Sequence, residues 1–197
     1  MGSFCNNKHA GTFGHAGILT FNANKVITTG GGGMILTNNS STAKKARHLI
    51  TTAKLNHPWK FIHNEVGWNY RMPNINAALG CAQIEKINTI LKYKKNITKK
   101  YQKAFKSNTE ITFFNQPNGC SSNYWLNVIR IKFKRISEID KLLNFLNKKK
   151  IQCRPVWNLL HKLPMFRKCP RSKLNISEQL EKELITLPSS PLYGKGK

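Results

Sequence analysis

Short runs rich in β-branched and other apolar residues mark the beginning of the chain. "GILTF" and "KVITT" precede four consecutive glycines, and "MILTN" follows them. Such composition favours strands. Residues 18–37 are therefore predicted to form two strands joined through the glycine run.

Apolar residues at helical spacing come next. Asn39 or Ser40 can cap a helix that continues to about Ala53, with its apolar side chains on one face. A second, long helix is predicted from near Asn74 to Phe105. Between the two helices, "NHPWKFIHNEVGWNYRMPN" contains two prolines and many aromatic residues, which indicates an irregular loop.

A change in composition over residues 107–119 indicates a domain boundary. Beyond it, strands are predicted at "EITFF", "YWLNVIRIKF" and "IQCRPVW", with a helix at "ISEIDKLLNFLNKK" before the third strand. A last helix, "ISEQLEKEL", precedes a predicted turn at "LPSSP". We therefore expect two domains, residues 1–106 and residues 107–197, of which the second is a small α+β unit.

The charge is strongly unbalanced, with 33 lysines and arginines, eight acidic residues and a formal net charge of +25. Such a charge suggests nucleic acid or an anionic membrane as a partner. The lysines occur on nearly every predicted helix, however, and no nucleic-acid recognition motif or membrane-spanning apolar run is present. We expect neither partner.

The five cysteines are scattered without any C-x-x-C pair, which indicates neither a zinc site nor a redox motif. We expect incidental, reduced thiols. The first residues contain no apolar segment typical of a signal peptide, so a cytoplasmic location is expected.

Lys25 lies in a polar loop just before the glycine run. A phosphate-binding P-loop places its lysine after its glycines and opens a helix. Lys25 precedes the glycines, and a predicted strand follows them, so the P-loop interpretation fails.

Two segments, "FNANKVITTGGGGMILTNN" and "GWNYRMPNINAALGCAQIEKI", resemble the DegT-type nucleotide-sugar aminotransferases. The resemblance extends over essentially the whole chain. It implies an α/β fold: part of an aspartate-aminotransferase-like large domain, followed by a small α+β domain. "HPWKFIHNEVGWNYRMPNINAALG" and "RPVWNLLHKLPMF" resemble the branch that makes 4-amino sugars for legionaminic-acid or bacillosamine pathways.

The resemblance implies that Lys25 forms the Schiff base with pyridoxal 5'-phosphate, and that Thr20 contacts the cofactor phosphate. It also implies that Asn69 reaches the phosphate pocket of a neighbouring subunit, in a homodimer with shared active sites. The residues alone leave open a solvent-exposed hairpin lysine at Lys25. They also allow Asn69 to be an ordinary polar residue of a loop.

Arg154, Trp157 and His161 belong to a segment that, by the same resemblance, faces the nucleotide sugar. Arginine suits phosphate, and tryptophan can stack on a sugar or a base. The alternative places Trp157 in the core and His161 on a helix surface. The substrates implied are a UDP-2-acetamido-4-keto-6-deoxy sugar and glutamate, for polysaccharide or nonulosonic-acid biosynthesis.

One feature of the family is missing. The family has an aspartate upstream of the lysine that keeps the pyridine nitrogen protonated, whereas the only aspartate here is Asp140, downstream of Lys25. The chain is therefore expected to be a C-terminal portion, inactive by itself, that needs an N-terminal half or a complementary fragment. The alternatives are an inactive truncated remnant and a basic nucleic-acid-binding protein.

Overall fold

The computed structural model describes residues 1–131 and 136–196. These residues form two compact units, each with its own core. Unit 1 comprises Met1–Leu91 and Asn118–Asn123, and unit 2 comprises Lys92–Pro117 and the chain from Tyr124 onward. The two units therefore meet in sequence between Leu91 and Lys92, within the helix Ile87–Phe105. The domain boundary that composition led us to expect at residue 106 stays a prediction.

The described strands are β1 (Phe4–Cys5), β2 (Lys8–His9), β3 (Gly17–Thr20), β4 (Gly33–Leu36), β5 (Ile111–Phe113), β6 (Cys120–Ser121), β7 (Asn127–Ile131), β8 (Arg154–Pro155) and β9 (Leu184–Leu187). The described helices are α1 (Ser40–Ile50), α2 (Asn74–Glu85), α3 (Ile87–Phe105), α4 (Ile136–Lys148) and α5 (Asn175–Glu183). The last two residues of the strand predicted to reach 133 lie outside the described residues.

Strands β3 and β4 form an antiparallel hairpin in which Thr20 pairs with Gly33. The prediction of two strands joined through the glycine run is confirmed. Residues 25–29, "KVITT", are not part of either strand despite their β-rich composition, because the connecting segment folds back on Phe21. The Phe21 amide donates to the Gly32 carbonyl oxygen, and the Thr29 amide donates to the Phe21 carbonyl oxygen, each at 3.0 Å.

The core of unit 1 lies around this hairpin and its loop. Leu19, Phe21 and Ile27 are buried. The partly buried side chains that pack on them come from several segments: Met1, Leu36, Met72, Ile87 and Ile90. The loop that carries Lys25 is therefore anchored to the hydrophobic core by residues on both sides of the lysine.

Helix α1 begins at the expected cap, since the Thr42 amide donates to Asn39 Oδ1 at 2.8 Å. It ends at Ile50, before the predicted Ala53, because Thr52 and Ala53 have positive φ angles of 64° and 52°. The expected long helix from Asn74 is interrupted at Lys86, where φ and ψ are −100° and 4°, and forms α2 and α3.

Unit 2 contains a four-stranded antiparallel sheet with the strand order β5-β7-β9-β8. Its core consists of the buried residues Ile129, Ile131, Ile139, Cys153 and Ile185. Strand β9 occupies an inner position, although the sequence predicted no strand there. The third predicted strand, over residues 151–157, is shortened to Arg154–Pro155.

Candidate active site

Lys25 lies in the loop between β3 and β4, with its side chain partly buried. The Lys25 amide donates to the Asn22 carbonyl oxygen at 3.0 Å, which closes a tight turn over residues 22–25. Burial lowers the pKa of the Met1 amino group, and the nearby Lys25 ammonium lowers it further by charge repulsion. Lys25 is therefore near enough to the Met1 amine for the two positive charges to repel each other.

Three of the four glycines after this loop have a steric reason to lack a side chain. Gly30 and Gly32 have φ angles of +80° and +97°, which favour glycine. At Gly33 a Cβ would lie 2.6 Å from the Leu19 carbonyl oxygen. Gly31 differs, since a Cβ there would meet no atom within 4 Å. The glycine run thus returns the chain to β4 and leaves bare backbone beside open space.

Thr20 is the last residue of β3, and its side chain is exposed. Asn69 lies on a different segment, where its backbone forms an isolated antiparallel bridge with Thr51. Its neighbours fix this segment to the end of α1: the Trp68 amide donates to the Leu49 carbonyl oxygen at 2.7 Å, and the Tyr70 amide donates to that of Ile50 at 3.0 Å. The exposed Asn69 side chain is available to another molecule, and the contact with a neighbouring subunit stays a prediction.

Trp157 belongs to unit 2 and is 66% exposed, so the alternative that places it in the core is wrong. Its ring stacks on that of Trp125, with the ring centroids 5.9 Å apart and the planes 23° apart. One indole of this pair is partly buried and the other projects outward. The pair is a rigid aromatic surface on which a planar ring or the apolar face of a sugar can stack.

His161 lies in a 3-10 turn, Leu160–Lys162, and its ring is fixed by α5. Its Nε2 atom lies 3.0 Å from Glu178 Oε1. Glu181, one turn along α5, accepts a hydrogen bond from the Leu159 amide at 3.0 Å and pairs with Lys162. Although burial alone raises the pKa of Glu181, the hydrogen bonds from Lys162 and the Leu159 amide hold it below its usual value. The two glutamates thus fix the turn that follows Trp157.

Arg154 lies on β8 opposite Thr186 of β9, and its side chain is exposed. The Thr186 hydroxyl donates to the Arg154 carbonyl oxygen at 3.1 Å, so the backbone of Arg154 is held by the sheet. Arg154 and Trp157 therefore lie on one short segment that leaves the sheet edge, with a free path to solvent for both side chains.

Sequence reasoning missed three residues of this region: Trp125, Glu178 and Glu181. Each lies far along the chain from its partner, and none belongs to a motif. The folding of β7, β8 and α5 brings them together, so only the three-dimensional structure identifies them. His57 and His63, in the aromatic segment before α2, have local backbone partners: His57 Nδ1 accepts from the Lys60 amide at 3.0 Å, and His63 Nδ1 lies 2.8 Å from the Thr52 carbonyl oxygen.

Within residues 1–131 and 136–196, no group of three or more His, Cys, Asp or Glu side chains is arranged to hold a metal ion. The helices of the same residues include none long and apolar enough to cross a membrane. A cavity of about 400 Å³ lies in unit 1 between the Gly11–Gly17 segment and the start of α1, and Thr20, Lys25 and Asn69 are not among its lining residues. The cavity therefore does not mark the lysine site.

Comparison with known proteins identifies the group of proteins to which the chain is similar. The family model of the DegT/DnrJ/EryC1/StrS aminotransferases matches residues 1–196. A GDP-perosamine synthase of Escherichia coli O157:H7 is 34% identical over 191 residues, which are 97% of this chain and 51% of that protein. One of Vibrio cholerae is 31% identical over 192 residues, 97% of this chain and 52% of that protein.

The fold is also that of known structures. The aminotransferase PseC of Helicobacter pylori, involved in the biosynthesis of pseudoaminic acid, superposes with a TM-score of 0.88 at 24% identity, over 96% of this chain and 52% of that one. The chain spans about half the length of the curated relatives it matches. The expected fold, the later part of an aspartate-aminotransferase-like domain followed by a small α+β domain, is confirmed. The chain belongs to the DegT/DnrJ/EryC1/StrS aminotransferase family.

Proposed function

We propose that the chain supplies the lysine-bearing part of an aminotransferase that converts a 4-keto nucleotide sugar into the 4-amino sugar with pyridoxal 5'-phosphate. The observation that carries the proposal is Lys25, a partly buried primary amine in a loop closed by a glycine run, in a chain matched to the family over residues 1–196. The substrate proposed is a UDP-2-acetamido-4-keto-6-deoxy sugar, with glutamate as amino donor.

The residues around Lys25 fit a phosphorylated aldehyde of this kind. The loop is fixed at both ends by hydrogen bonds to Phe21, and Gly31 faces open space where any side chain would project. The exposed Thr20 hydroxyl ends the strand that leads into the loop and is a donor for a phosphate oxygen. Lys25 would hold the cofactor through its amine, and Thr20 would hold its phosphate.

Lys25 would then have two tasks. Bound pyridoxal phosphate supplies an electron sink that stabilises negative charge on the carbon next to the amine. The Lys25 Nζ atom would be the base that moves the proton between the substrate carbon and the cofactor. A lysine serves both tasks because its amine is a nucleophile when neutral and sits on a long stem.

Unit 2 would bind the nucleotide sugar. The exposed guanidinium of Arg154 suits a diphosphate, because its fork of donors matches two phosphate oxygens. The stacked pair of Trp125 and Trp157 provides a flat apolar surface for a ring of the substrate. His161, held by Glu178, would add a directed polar contact.

The active site would be shared. Asn69 would contribute to the phosphate pocket of a second copy, which makes the working form a homodimer. The carboxylate that protonates the pyridine nitrogen would come from the first half of the family fold, in the same protein or in a complementary fragment. The relatives' length, about twice that of the chain, supports this part of the proposal.

The test is an assay of sugar product. The chain is joined to the first half of the Escherichia coli relative and supplied with pyridoxal phosphate, glutamate and the UDP-4-keto sugar. We expect the 4-amino sugar to form, Lys25→Arg to lose nearly all of it, and Lys44→Arg, an exposed lysine on α1, to retain it. We expect the chain alone to form none. Product formation that survives Lys25→Arg would overturn the proposal.

A further inference from the structure

The segment Asn118–Asn123, here called the strap, belongs to unit 1, whereas the chain on both sides of it belongs to unit 2. Its strand β6 pairs antiparallel with β1, with Phe4 opposite Ser121 and Cys5 opposite Cys120. The strap also holds the beginning of the chain, since Asn123 Nδ2 donates to the Met1 carbonyl oxygen at 2.8 Å. Two cysteines 115 positions apart are thereby placed on facing strands.

The register of this pairing is fixed by local backbone geometry. Asn6 and Asn7 have φ angles of 47° and 61°, which form the two-residue turn between β1 and β2. The Asn6 amide donates to the Gly119 carbonyl oxygen at 2.8 Å. Gly119 has a φ of +73°, and a Cβ there would lie 2.6 Å from Asn6 Oδ1. Because a slip of one residue would break these contacts, Cys5 and Cys120 are held directly opposite each other.

The two thiols are close enough to react. The Cys120 thiol donates to the Cys5 sulfur, and the sulfur atoms are 2.6 Å apart. Directly opposite residues in an antiparallel pair have Cα atoms about 4.5–5.5 Å apart, inside the range of about 4.4–6.8 Å that disulfides need. Both cysteines are partly exposed, so a small reagent can reach them, whereas Cys153 is buried. The described residues offer this pair no third metal ligand.

We propose that Cys5 and Cys120 form a reversible disulfide that fastens the strap to β1. The oxidant is a small-molecule disulfide of the glutathione class. The Cys5 thiolate attacks one of its sulfur atoms and expels one thiol. The Cys120 thiolate then attacks the Cys5 sulfur and expels the second thiol. The two cysteine protons pass to the two released thiols, so the cysteines are oxidised and the small disulfide is reduced.

Cys5 and Cys120 are thus a reactive pair on this proposal, whereas incidental thiols were expected for all five cysteines. Cysteine spacing did not indicate the pair, because the strap returns to β1 only in the folded chain. A bond that closes so long a loop constrains the unfolded chain strongly. Oxidation would therefore stabilise unit 1 and keep the strap paired with β1.

The test uses the full chain and peptide mapping. Trypsin places each cysteine in a different peptide, and those of Cys5 and Cys120 are residues 1–8 and 107–130. The chain is incubated with mixtures of oxidised and reduced glutathione, and the remaining thiols are alkylated. After digestion, the peptide masses are measured by mass spectrometry. We expect the two peptides to be linked, with a loss of two hydrogens, while the exposed Cys81 and Cys169 are alkylated or carry glutathione and are not linked to another cysteine.

Three comparisons make the result decisive. In Cys120→Ser, Cys5 is expected to carry glutathione instead of the link, and Cys81→Ser is the matched control that keeps the link. Gly119→Ala keeps both thiols but disturbs the register, so the yield of the link is expected to fall. The chain unfolded in concentrated guanidinium chloride gives the distribution of pairings without structure. A native distribution equal to that one, or alkylation of Cys5 and Cys120 as rapid as that of Cys81 and Cys169, would overturn the proposal.

Discussion

At the scale of single residues, Lys94 is a buried lysine held by backbone carbonyl groups. Only 3% of the residue is exposed, and its Nζ donates to the carbonyl oxygens of Ser189 at 2.7 Å and Trp125 at 3.3 Å. Removal from water lowers its pKa from 10.5 to about 8. The carbonyl groups replace the lost water only partly, so the charged form is less favourable in the folded chain than in the unfolded chain.

This pKa predicts a pH-dependent stability. The folded chain releases the Lys94 proton near pH 8, whereas the unfolded chain keeps it to about pH 10.5. The unfolded state therefore binds more protons in this window, and the contribution of Lys94 to the free energy of unfolding rises with pH. Relative to Lys94→Met, the chain should gain on the order of 3 kcal/mol between these pH values, from about 1.4 kcal/mol per pKa unit.

Urea unfolding of both proteins across this pH range measures the difference. Subtracting the variant removes the contributions of other groups, such as Tyr101, whose pKa is raised by burial. Lys95→Met, an exposed lysine on the same helix, is the control and should follow the unmodified chain. Parallel pH curves for Lys94→Met and the unmodified chain would contradict the account.

The sequence singles out individual residues where a motif carries candidate chemistry. Lys25 was singled out by its place before the glycine run, and the structure puts it in a fixed loop. Lys94 was one lysine among many in a basic helix, and its burial depends on segments far along the chain. Its ammonium donates to the carbonyl oxygens of Trp125 and Ser189, and Thr98, one turn later on α3, donates to Asn127 Oδ1 at 2.7 Å. Helical spacing alone cannot distinguish such a lysine from its exposed neighbours.

At the scale of elements, the glycine run permits a sharp comparison within the β3–β4 connection. Gly33→Ala would place a Cβ 2.6 Å from the Leu19 carbonyl oxygen, and a backbone atom cannot move away without opening the hairpin. We expect a loss of about 1–3 kcal/mol in the free energy of unfolding. Gly31→Ala meets no atom within 4 Å and should change it by less than about 0.5 kcal/mol.

Denaturant unfolding of the two alanine variants tests this comparison. Hydrogen exchange at the amides of β3 and β4 shows whether the loss is in the hairpin, where the account places it. Equal stability of the two variants would show that the close approach at Gly33 is not a constraint on this element.

Most elements followed from local pattern, and the failures have physical causes. Strand β9 was missed because Leu184–Leu187 directly follows α5 and leads into a segment that resembles a turn. It is a strand because it pairs with both β7 and β8, which local sequence does not reveal. The break at Lys86 was missed because every residue around it is compatible with a helix. The aromatic segment before α2 was correctly predicted to be irregular.

At the scale of the whole molecule, the net charge of +25 is spread over both units and does not define a site by itself. Of the few acidic residues, several fix local structure: Glu65 pairs with Lys45, Glu183 with Arg130, and Glu181 with Lys162. That the charge marks no nucleic-acid-binding site stays a prediction. The family fold and the fixed lysine loop are the features from which function is argued.

The central claim is that Lys25 is the residue that holds pyridoxal phosphate, and the most direct measurement is the site of covalent labelling. The chain joined to the first half of the Escherichia coli relative is given one equivalent of pyridoxal phosphate, reduced with borohydride and mapped by mass spectrometry. Because the loop holds the Lys25 amine partly buried in a fixed turn, the account predicts that the pyridoxyl group is found on Lys25. Lys25→Ala should lose the label, and Lys44→Ala should keep it. Labelling spread evenly over the exposed lysines, or concentrated on another lysine while Lys25 is unmodified, would contradict the account.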